Sequence, residues 1–493
     1  HNINAIGVAS YQTQNFESIY ALAENFPGNS IRRLSAGSVK KEATTSGSSF
    51  GIIGYVSRLN YSYDGKYIAS VSVRRDGSSN LGSSTKWGTF PAVSAAWRIS
   101  DEKFMSNVKF ISNLKLRGSR GYSGSNSGGL FASLPLISPG ANYLTSAGLA
   151  PSQLGNPNLG WETSIQTDGA LEIGLFNRIN ITAEIYKRRT NNLLTSRQLV
   201  GNSGFLSVND NIGAITNRGV ELGLEGNVIN NKKFSWTTNF TITYQKNNVD
   251  TIYGGNPFGT GFMSWVQQGY PLSSFRGYRM QGIFQTTADV STTRDGSSAR
   301  PGDIKWKDVN SDGVINSLDQ EILGTALPRY FGSFTNTFTF GNFELTAFFQ
   351  FVGGNKILNY NRSFAEGMNS VFGQYATVLD RWTAAKPSIT MPRAVYGDPA
   401  NNRRASDRWI EDGSFTRLKN LLIGYNFGQS ATKKMKINSL KLFLQAQNLF
   451  TWTKYQGFDP EVSTFTVTNT SQGTDFLTFP QPRIITFGIN AGF

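Results

Sequence analysis

The 493-residue sequence has no cysteine and a single histidine, His1. Without cysteine there is no disulfide, no iron–sulfur cluster and no thiol nucleophile. With one histidine there is no Ser-His-Asp triad, no HExxH zinc site and no Cys/His metal cage. Charge is also sparse: Asp, Glu, Lys and Arg make up 16% of the chain, against roughly a quarter in an ordinary soluble domain. No run of 18 apolar residues occurs, so no segment is long and apolar enough to cross a bilayer as a helix. Acidic residues number 32 against 47 basic ones, a net charge of +15. The basic residues are scattered, apart from short pairs such as Arg32-Arg33, Arg188-Arg189 and Arg403-Arg404. That scatter lacks the concentrated stripe that would mark a nucleic-acid partner.

What the chain has in quantity is glycine (52 residues) and aromatic residues (35 Phe, 19 Tyr, 9 Trp). Few charges, many aromatics and no apolar helix together fit a transmembrane β-barrel. In such a barrel, lipid-facing and lumen-facing residues alternate along each strand. The alternation is visible. In Phe234–Gln245, Phe234, Trp236, Phe240, Ile242 and Tyr244 share one face, interrupted only by Thr238. Ser235, Thr237, Asn239, Thr241, Thr243 and Gln245 share the other. Tyr67, Ala69, Val71 and Val73 likewise oppose Ile68, Ser70, Ser72 and Arg74. Phe343, Leu345, Ala347, Phe349 and Phe351 oppose Asn342, Glu344, Thr346, Phe348 and Gln350. A carboxylate on the second face requires water or a polar filling there.

Connections alternate in length. Hairpin-turn chemistry marks Asp64-Gly65, Phe176-Asn177, Asn230-Asn231 and Gly341-Asn342. Between these lie long Gly-, Ser-, Asn- and Pro-rich segments at about 13–49, 75–87, 123–158, 196–209, 247–329, 354–413 and 455–480. Fourteen crossing strands are expected, at 2–12, 51–63, 66–74, 89–99, 112–122, 161–175, 178–195, 212–229, 232–246, 330–340, 343–353, 415–427, 438–450 and 482–493. A further extended segment, 273–286, would break the up-and-down parity and is placed in a loop hairpin. The expected fold is all-β, a transmembrane antiparallel β-barrel with its long loops on one side.

Specific strings then carry a resemblance. KWGTFPAVSAAWRISDEKF (86–104), NPNLGWETSIQTDGALEIGLFNRINITAEIYKRRTNNLL (156–194) and PGDIKWKDVNSDGVINSLDQEILG (301–324) are followed by SDRWIEDGSFTRLKNLLIGYNF (406–427), LQAQNLFTWTKYQGFDPEV (444–462) and FPQPRIITFGINAGF (479–493). In this order they resemble the SusC/RagA family of TonB-dependent outer-membrane transporters of Bacteroidetes. The resemblance implies import of oligomeric nutrients, glycan oligosaccharides or peptides, together with a SusD-like surface lipoprotein. It also implies extracellular long loops, a chain end near the periplasm and a wall in contact with outer-membrane lipid. Members of the family are about twice as long and carry an N-terminal β-sandwich domain and a TonB-contacting plug. Residues 1–493 are therefore expected to be the C-terminal part of the barrel, fourteen of 22 strands. A barrel that anchors a surface complex without importing is the alternative.

Three local features bear on function. Residues 308–319, DVNSDGVINSLD, place Asp308, Asn310, Asp312, Val314 (through its carbonyl), Asn316 and Asp319 at the ligand positions of a Ca²⁺ loop. Gly313 stands at the sharp turn and Glu321 is a secondary candidate. The same side chains would equally cap their own backbone in an Asx-rich turn. The carboxylate pairs Glu411-Asp412 and Asp459/Glu461 raise the question of a hydrolase, which needs two carboxyls across a bond, one with a raised pKa. Nothing in their spacing meets that need, and no catalytic residue is assigned. Finally, Trp265, Tyr270, Phe275 and Tyr278, within a wider set that includes Tyr253, Phe258, Phe262 and Phe284, are candidates for a ligand-facing wall suited to sugar rings or peptides.

Overall fold

The computed structural model describes residues 1–126, 128–231, 233–290, 299–465 and 468–493. Fourteen strands hydrogen-bond in chain order into one sheet. They are β1 (Asn2–Glu24), β2 (Val39–Tyr63), β3 (Tyr67–Ser78), β4 (Trp87–Arg98), β5 (Ile111–Ser125), β6 (Glu162–Leu175) and β7 (Ile179–Asn191). They continue as β8 (Ala214–Asn230), β9 (Phe234–Thr251), β10 (Tyr330–Phe340), β11 (Phe343–Gly353), β12 (Phe415–Asn426), β13 (Ser439–Thr453) and β14 (Ile484–Gly492). Each strand expected from the alternation is present, and 273–286 falls outside this sheet, as its parity required. Lys232, where β9 was expected to begin, and Ser127, in the expected loop 123–158, lie outside the described residues.

The largest departure is at the start. Residues 13–24 and 39–50, expected as loop, are strand, paired in register from Asn2↔Ser62 to Glu24↔Val39. Both faces of this extension are exposed, so neither needs to be apolar and no period-2 signal marks it. Two connections on the short-turn side are also longer than a hairpin turn. Residues 99–110 carry two 3-10 turns, and 427–438 carry the helix Gln429–Lys434.

The chain forms two compact units. One comprises His1–Trp97, Arg117–Asp168 and Arg188–Ala214. Here β2 and β3 are joined by Asp64, Gly65 and Lys66; Asp64 and Gly65, with φ of 54° and 67°, take the two left-handed positions of a turn closed by the Lys66 N–H on the Tyr63 carbonyl. The apolar faces of β2, β3 and β4 carry two aromatic levels. Tyr63, Tyr67 and Trp97 stack beside the turn, with centroids 6.3 and 6.4 Å apart. Tyr55 stacks on Trp87 at the other end, with Arg75 over the indole. Trp87 and Trp97 are ten residues apart on β4. At about 3.3 Å per residue and a tilt near 40°, they stand about 25 Å apart along the membrane normal, the height of the apolar band of an outer-membrane barrel. Thr89, Pro91, Val93 and Ala95 fill the face between them. On the opposite face Arg74 pairs with Asp76, whose carboxylate packs over Gly54 so closely that a Cβ there would have to displace it.

The other unit comprises Arg98–Leu116, Gly169–Lys187 and Ile215–Phe493. Phe234, Trp236, Phe240 and Tyr244 of β9 pair with Phe340, Phe338, Phe334 and Tyr330 of β10. Each such cross-strand aromatic pair is worth roughly 0.2–1 kcal/mol. The Phe351 ring covers Gly332, its partner on β10, where no Cβ could be accommodated. The opposite face is polar and hydrogen-bonded. Thr241 meets Ser333 at 2.8 Å, Thr337 meets Thr346 at 3.1 Å, and Thr237 donates to Asn227 at 2.9 Å. Lys441 pairs with Glu344 at 2.7 Å and Lys115 with Glu172 at 3.3 Å, so these two carboxylates meet cations.

Candidate functional site in the long loops

The loops between β9 and β10, β11 and β12, and β13 and β14 fold on one another. In the first, Phe258–Gly261, Ser264–Val266, Ser274–Gly277 and Glu321–Thr325 form a four-stranded sheet. Strands from the second and third, Ile410–Asp412, Lys356–Asn359 and Thr474–Asp475, make a three-stranded one. Met263, Phe275, Ala326, Leu358 and Trp409 form a buried cluster joining the first loop to the second. Thr260 and Ser273 exchange hydrogen bonds of 2.8–2.9 Å with Thr470, Ser471 and Asn469 of the third loop.

Ion pairs lock this assembly. Asp303, fully buried, accepts both Arg393 Nε (2.8 Å) and Nη2 (2.9 Å), and Asn402 Nδ2 at 2.9 Å. Arg362 bridges Glu366 (2.7 Å) and Glu411 (2.8 Å), while Glu411 also accepts from Asn359 and from the Gln456 N–H. Arg408 stacks on Trp409, and burial lowers its guanidinium to a pKa of about 10. Burial raises the Tyr455 phenol strongly, reinforced by its 2.6 Å hydrogen bond to Asp475.

The carboxylate pairs take part in this clamping and are not set across a cleft. Glu411 is fixed by Arg362, and Asp459 and Glu461 are both held by Arg417. At Asp412 burial is outweighed by two hydrogen bonds from Ser414, so its carboxyl lies below the ordinary range, the opposite of what a general acid requires.

The loop 308–319 closes on itself. Asp308 accepts the N–H groups of Ser311 and Gly313, each at 2.7 Å. Asp312 accepts from Val314 N–H and from the Asn310 side chain. Asp319 accepts from Val309 and Asn316, and Asn316 caps the turn Ser317–Asp319. Gly313 has a φ of 77°, the turn conformation expected of it. Among the described residues no three acidic side chains gather around a point that could hold a metal ion. These hydrogen bonds engage the same carboxylates and amides that the Ca²⁺-loop spacing offers as ligands. Glu321 is spent on Lys307 and Arg279; burial pushes its carboxyl up, but the two cations outweigh this and hold it low.

The expected aromatic wall divides. Phe275 is fully buried in the loop core, in the cluster with Leu358 and Trp409. Tyr278 is half-buried, with Arg404 stacked against both it and Trp306. Trp265 lies under Arg276, 4.4 Å from its ring, and Tyr270 is exposed.

Two cavities open elsewhere in the same loops. The larger, about 980 Å³, is lined by aromatic side chains that the sequence reading did not single out, among them Phe364, Phe372, Tyr375, Phe458, Phe476 and Phe479. Phe364 and Phe476 stack as its floor, 5.8 Å between centroids, and Phe372 meets Phe364 edge-on at 5.6 Å. Gln374 fixes this wall by donating to the carbonyls of Phe364, Phe372 and Gly373. The smaller cavity, about 350 Å³, has a mixed lining that sets Phe262, Met263 and Trp409 beside Asp398, Arg403 and Arg404. Burial raises the Asp398 carboxyl, against the Arg403 and Asn402 N–H groups that it accepts. The density of aromatics in 360–375 and 455–479 was the available sequence signal.

Residues 3–449 match the family model described as TonB dependent receptor-like, beta-barrel. TonB-dependent receptor P26 of Formosa agariphila is 31% identical over 515 residues, covering 100% of this chain and 51% of that protein. TonB-dependent receptor SusC of Bacteroides thetaiotaomicron is 28% identical over 451 residues, covering 88% of this chain and 43% of that one. Among solved structures, the RagAB peptide transporter superposes with a TM-score of 0.87 at 25% identity, over 100% of this chain and 53% of that chain. The chain spans about half the length of these relatives.

Proposed function

Because the chain belongs to the TonB dependent receptor-like β-barrel family, we propose that it is the C-terminal wall and loop region of an outer-membrane importer of oligomeric nutrients. The fold is a transmembrane antiparallel β-barrel fold with fourteen strands in this chain. In this reading the N-terminal half supplies the plug and the TonB contact, and a SusD-like lipoprotein closes over the loops. The long loops face outward and β14 ends near the periplasm.

The observation that carries the reading is the one-sided loop assembly, locked by buried ion pairs and opening into a cavity of about 980 Å³. Two aromatic levels about 25 Å apart support a membrane setting, and the hydroxyl- and ion-paired face of the sheet supports a wet lumen. The work is selective binding and gated passage, with no covalent step. Glycan oligosaccharides and peptides are both within this class.

The test is deletion of the gene in its host, followed by growth on single oligosaccharides and on oligopeptides as sole nutrient. Loss of growth on one class, restored by the intact gene and not by a plug-deleted one, is the expected result. Unchanged growth on every substrate, with a surface complex lost from the cell instead, would mean an anchoring barrel.

A further inference from the structure

The short connections of the second unit, far apart in sequence, are hydrogen-bonded side by side. The Phe176 N–H donates to the Phe110 carbonyl at 2.8 Å and the Asn227 N–H to the Arg178 carbonyl at 2.8 Å. The Gly341 N–H donates to Lys233 at 3.0 Å, and the Asn426 N–H to Asn342 at 2.9 Å. The rim so formed carries Lys109, Arg178, Lys233, Lys433, Lys434 and Lys436, all exposed. Connections 176–178, 231–233, 341–342 and 427–438 contain no acidic residue. In 99–110 Asp101 is paired with Arg98. Carboxylates of the same unit are instead held among the long loops, as at Asp303, Glu411 and Asp459.

An aromatic row borders these cations. Phe234 pairs with Phe340, Phe340 with Phe343, and Phe343 with Tyr425, so four neighbouring strands carry rings at one level of the apolar face. Phe110 and Phe176 meet in the same way, 6.2 Å between centroids. Such rings settle where hydrocarbon gives way to headgroups. Lys109, Arg178 and Lys233 lie within two residues of one of them, which places their charges at headgroup level. Beside Arg178 a recess of about 440 Å³ is lined also by Phe176, Ile179, Asn227 and Val228. It sets a guanidinium against three apolar side chains, the chemistry found where a lipid phosphate joins its acyl chains.

We propose that this rim binds anionic phospholipid of the periplasmic leaflet, with the headgroup phosphate against Arg178, Lys233 and the lysines of 427–438. The choice of leaflet rests on the outward placement of the long loops in the importer reading; the charge and the rings do not.

Full-length protein in phosphatidylcholine bilayers is given trace spin-labelled phosphatidylglycerol or spin-labelled phosphatidylcholine, and the motionally restricted fraction is read by electron spin resonance. Phosphatidylglycerol is expected to associate about threefold more strongly in low salt, and the preference to shrink in high salt. Arg178→Gln, Lys233→Gln, Lys433→Gln, Lys434→Gln and Lys436→Gln together should abolish it, while Arg32→Gln with Arg33→Gln leaves it intact. An unchanged thermal midpoint shows that the five-site variant is folded. Equal association of the two lipids with the parent, or a preference that survives in the five-site variant, overturns the proposal. So does a variant that keeps the preference but no longer sediments with peptidoglycan sacculi, which would give the rim to the cell wall. Lys434→Cys is expected to react with an impermeant maleimide only after the outer membrane is opened; labelling in intact cells rejects the periplasmic leaflet. Import is scored separately. Import without lipid preference rejects this rim alone, and lipid preference without import rejects the transport reading alone.

Discussion

Arg417, near the loop end of β12, donates to Asp459 of the loop that follows β13, and both side chains are almost entirely withdrawn from solvent. Glu461 at 2.8 Å and the Thr451 hydroxyl at 2.9 Å complete the arginine's partners, and Lys419 shares Glu461. The last long loop is thus fastened to the sheet by one buried cation.

Replacing that cation leaves the Asp459 charge buried with only the Glu461 and Gln481 N–H groups for partners, and breaking such a pair costs up to about 3–5 kcal/mol. Arg417→Met is expected to lower the thermal midpoint by several degrees and to open the loop 454–483 to protease. Arg417→Met with Asp459→Asn should recover part of the loss. A single variant as stable as the parent by calorimetry would remove the clamp from the account.

On the apolar face of the sheet, the Trp236 indole N–H donates to Asn336 Oδ1 at 2.9 Å, and Asn336 is almost fully covered. Trp236→Phe strands that amide beside lipid and is expected to cost about 1–3 kcal/mol. Asn336→Leu in the Trp236→Phe background should restore most of it. A double-mutant cycle by urea unfolding in lipid vesicles measures the coupling, and a coupling of zero refutes the pairing.

Tyr455 is held neutral by burial and by Asp475. Its folded pKa stands above the ordinary value of 10.0, so its contribution to stability is intact below pH 10 and is lost as pH rises beyond it. At pH 11 the folded protein and Tyr455→Phe should therefore show the same phenolate absorbance. A deficit of one phenolate in the variant would show that Tyr455 ionises freely.

The carboxylates of 308–319 are already satisfied by N–H groups of their own loop. Chelation with EGTA is expected to leave the thermal midpoint unchanged, and Asp308→Ala to lower it through loss of two backbone hydrogen bonds, by about 1–2 kcal/mol. A midpoint that climbs with added Ca²⁺ would instead establish a cation in the loop.

Alternation made the membrane-crossing strands legible because lipid and lumen impose opposite demands on successive residues. In Phe234–Tyr244 those demands are written into nearly every position. The extensions of β1 and β2 escaped the same reading because Phe16, Ile19 and Tyr20 are exposed, as are their polar neighbours, so polarity does not track the pleat. The loop aromatics were harder for another reason. Phe275 and Tyr270 are five residues apart in similar company, yet one is sealed in the core and the other exposed, a difference made by contacts with Leu358 and Trp409 more than 80 residues away. The larger cavity was invisible for the same cause, since Phe364 and Phe476 meet only after two loops have folded together.

The long first hairpin has a further consequence. A strand needs about ten residues to traverse the apolar layer, so more than half of β1 and β2 stands beyond it, ending in the exposed dibasic tip Arg32-Arg33. If the long loops face outward as proposed, trypsin given to intact cells should nick the chain there before reaching any other site. The cut would be silent: the pairing from Asn2↔Ser62 to Glu24↔Val39 keeps both pieces in place. Such a nicked wall would run as two bands on a denaturing gel and as one species in its native membrane.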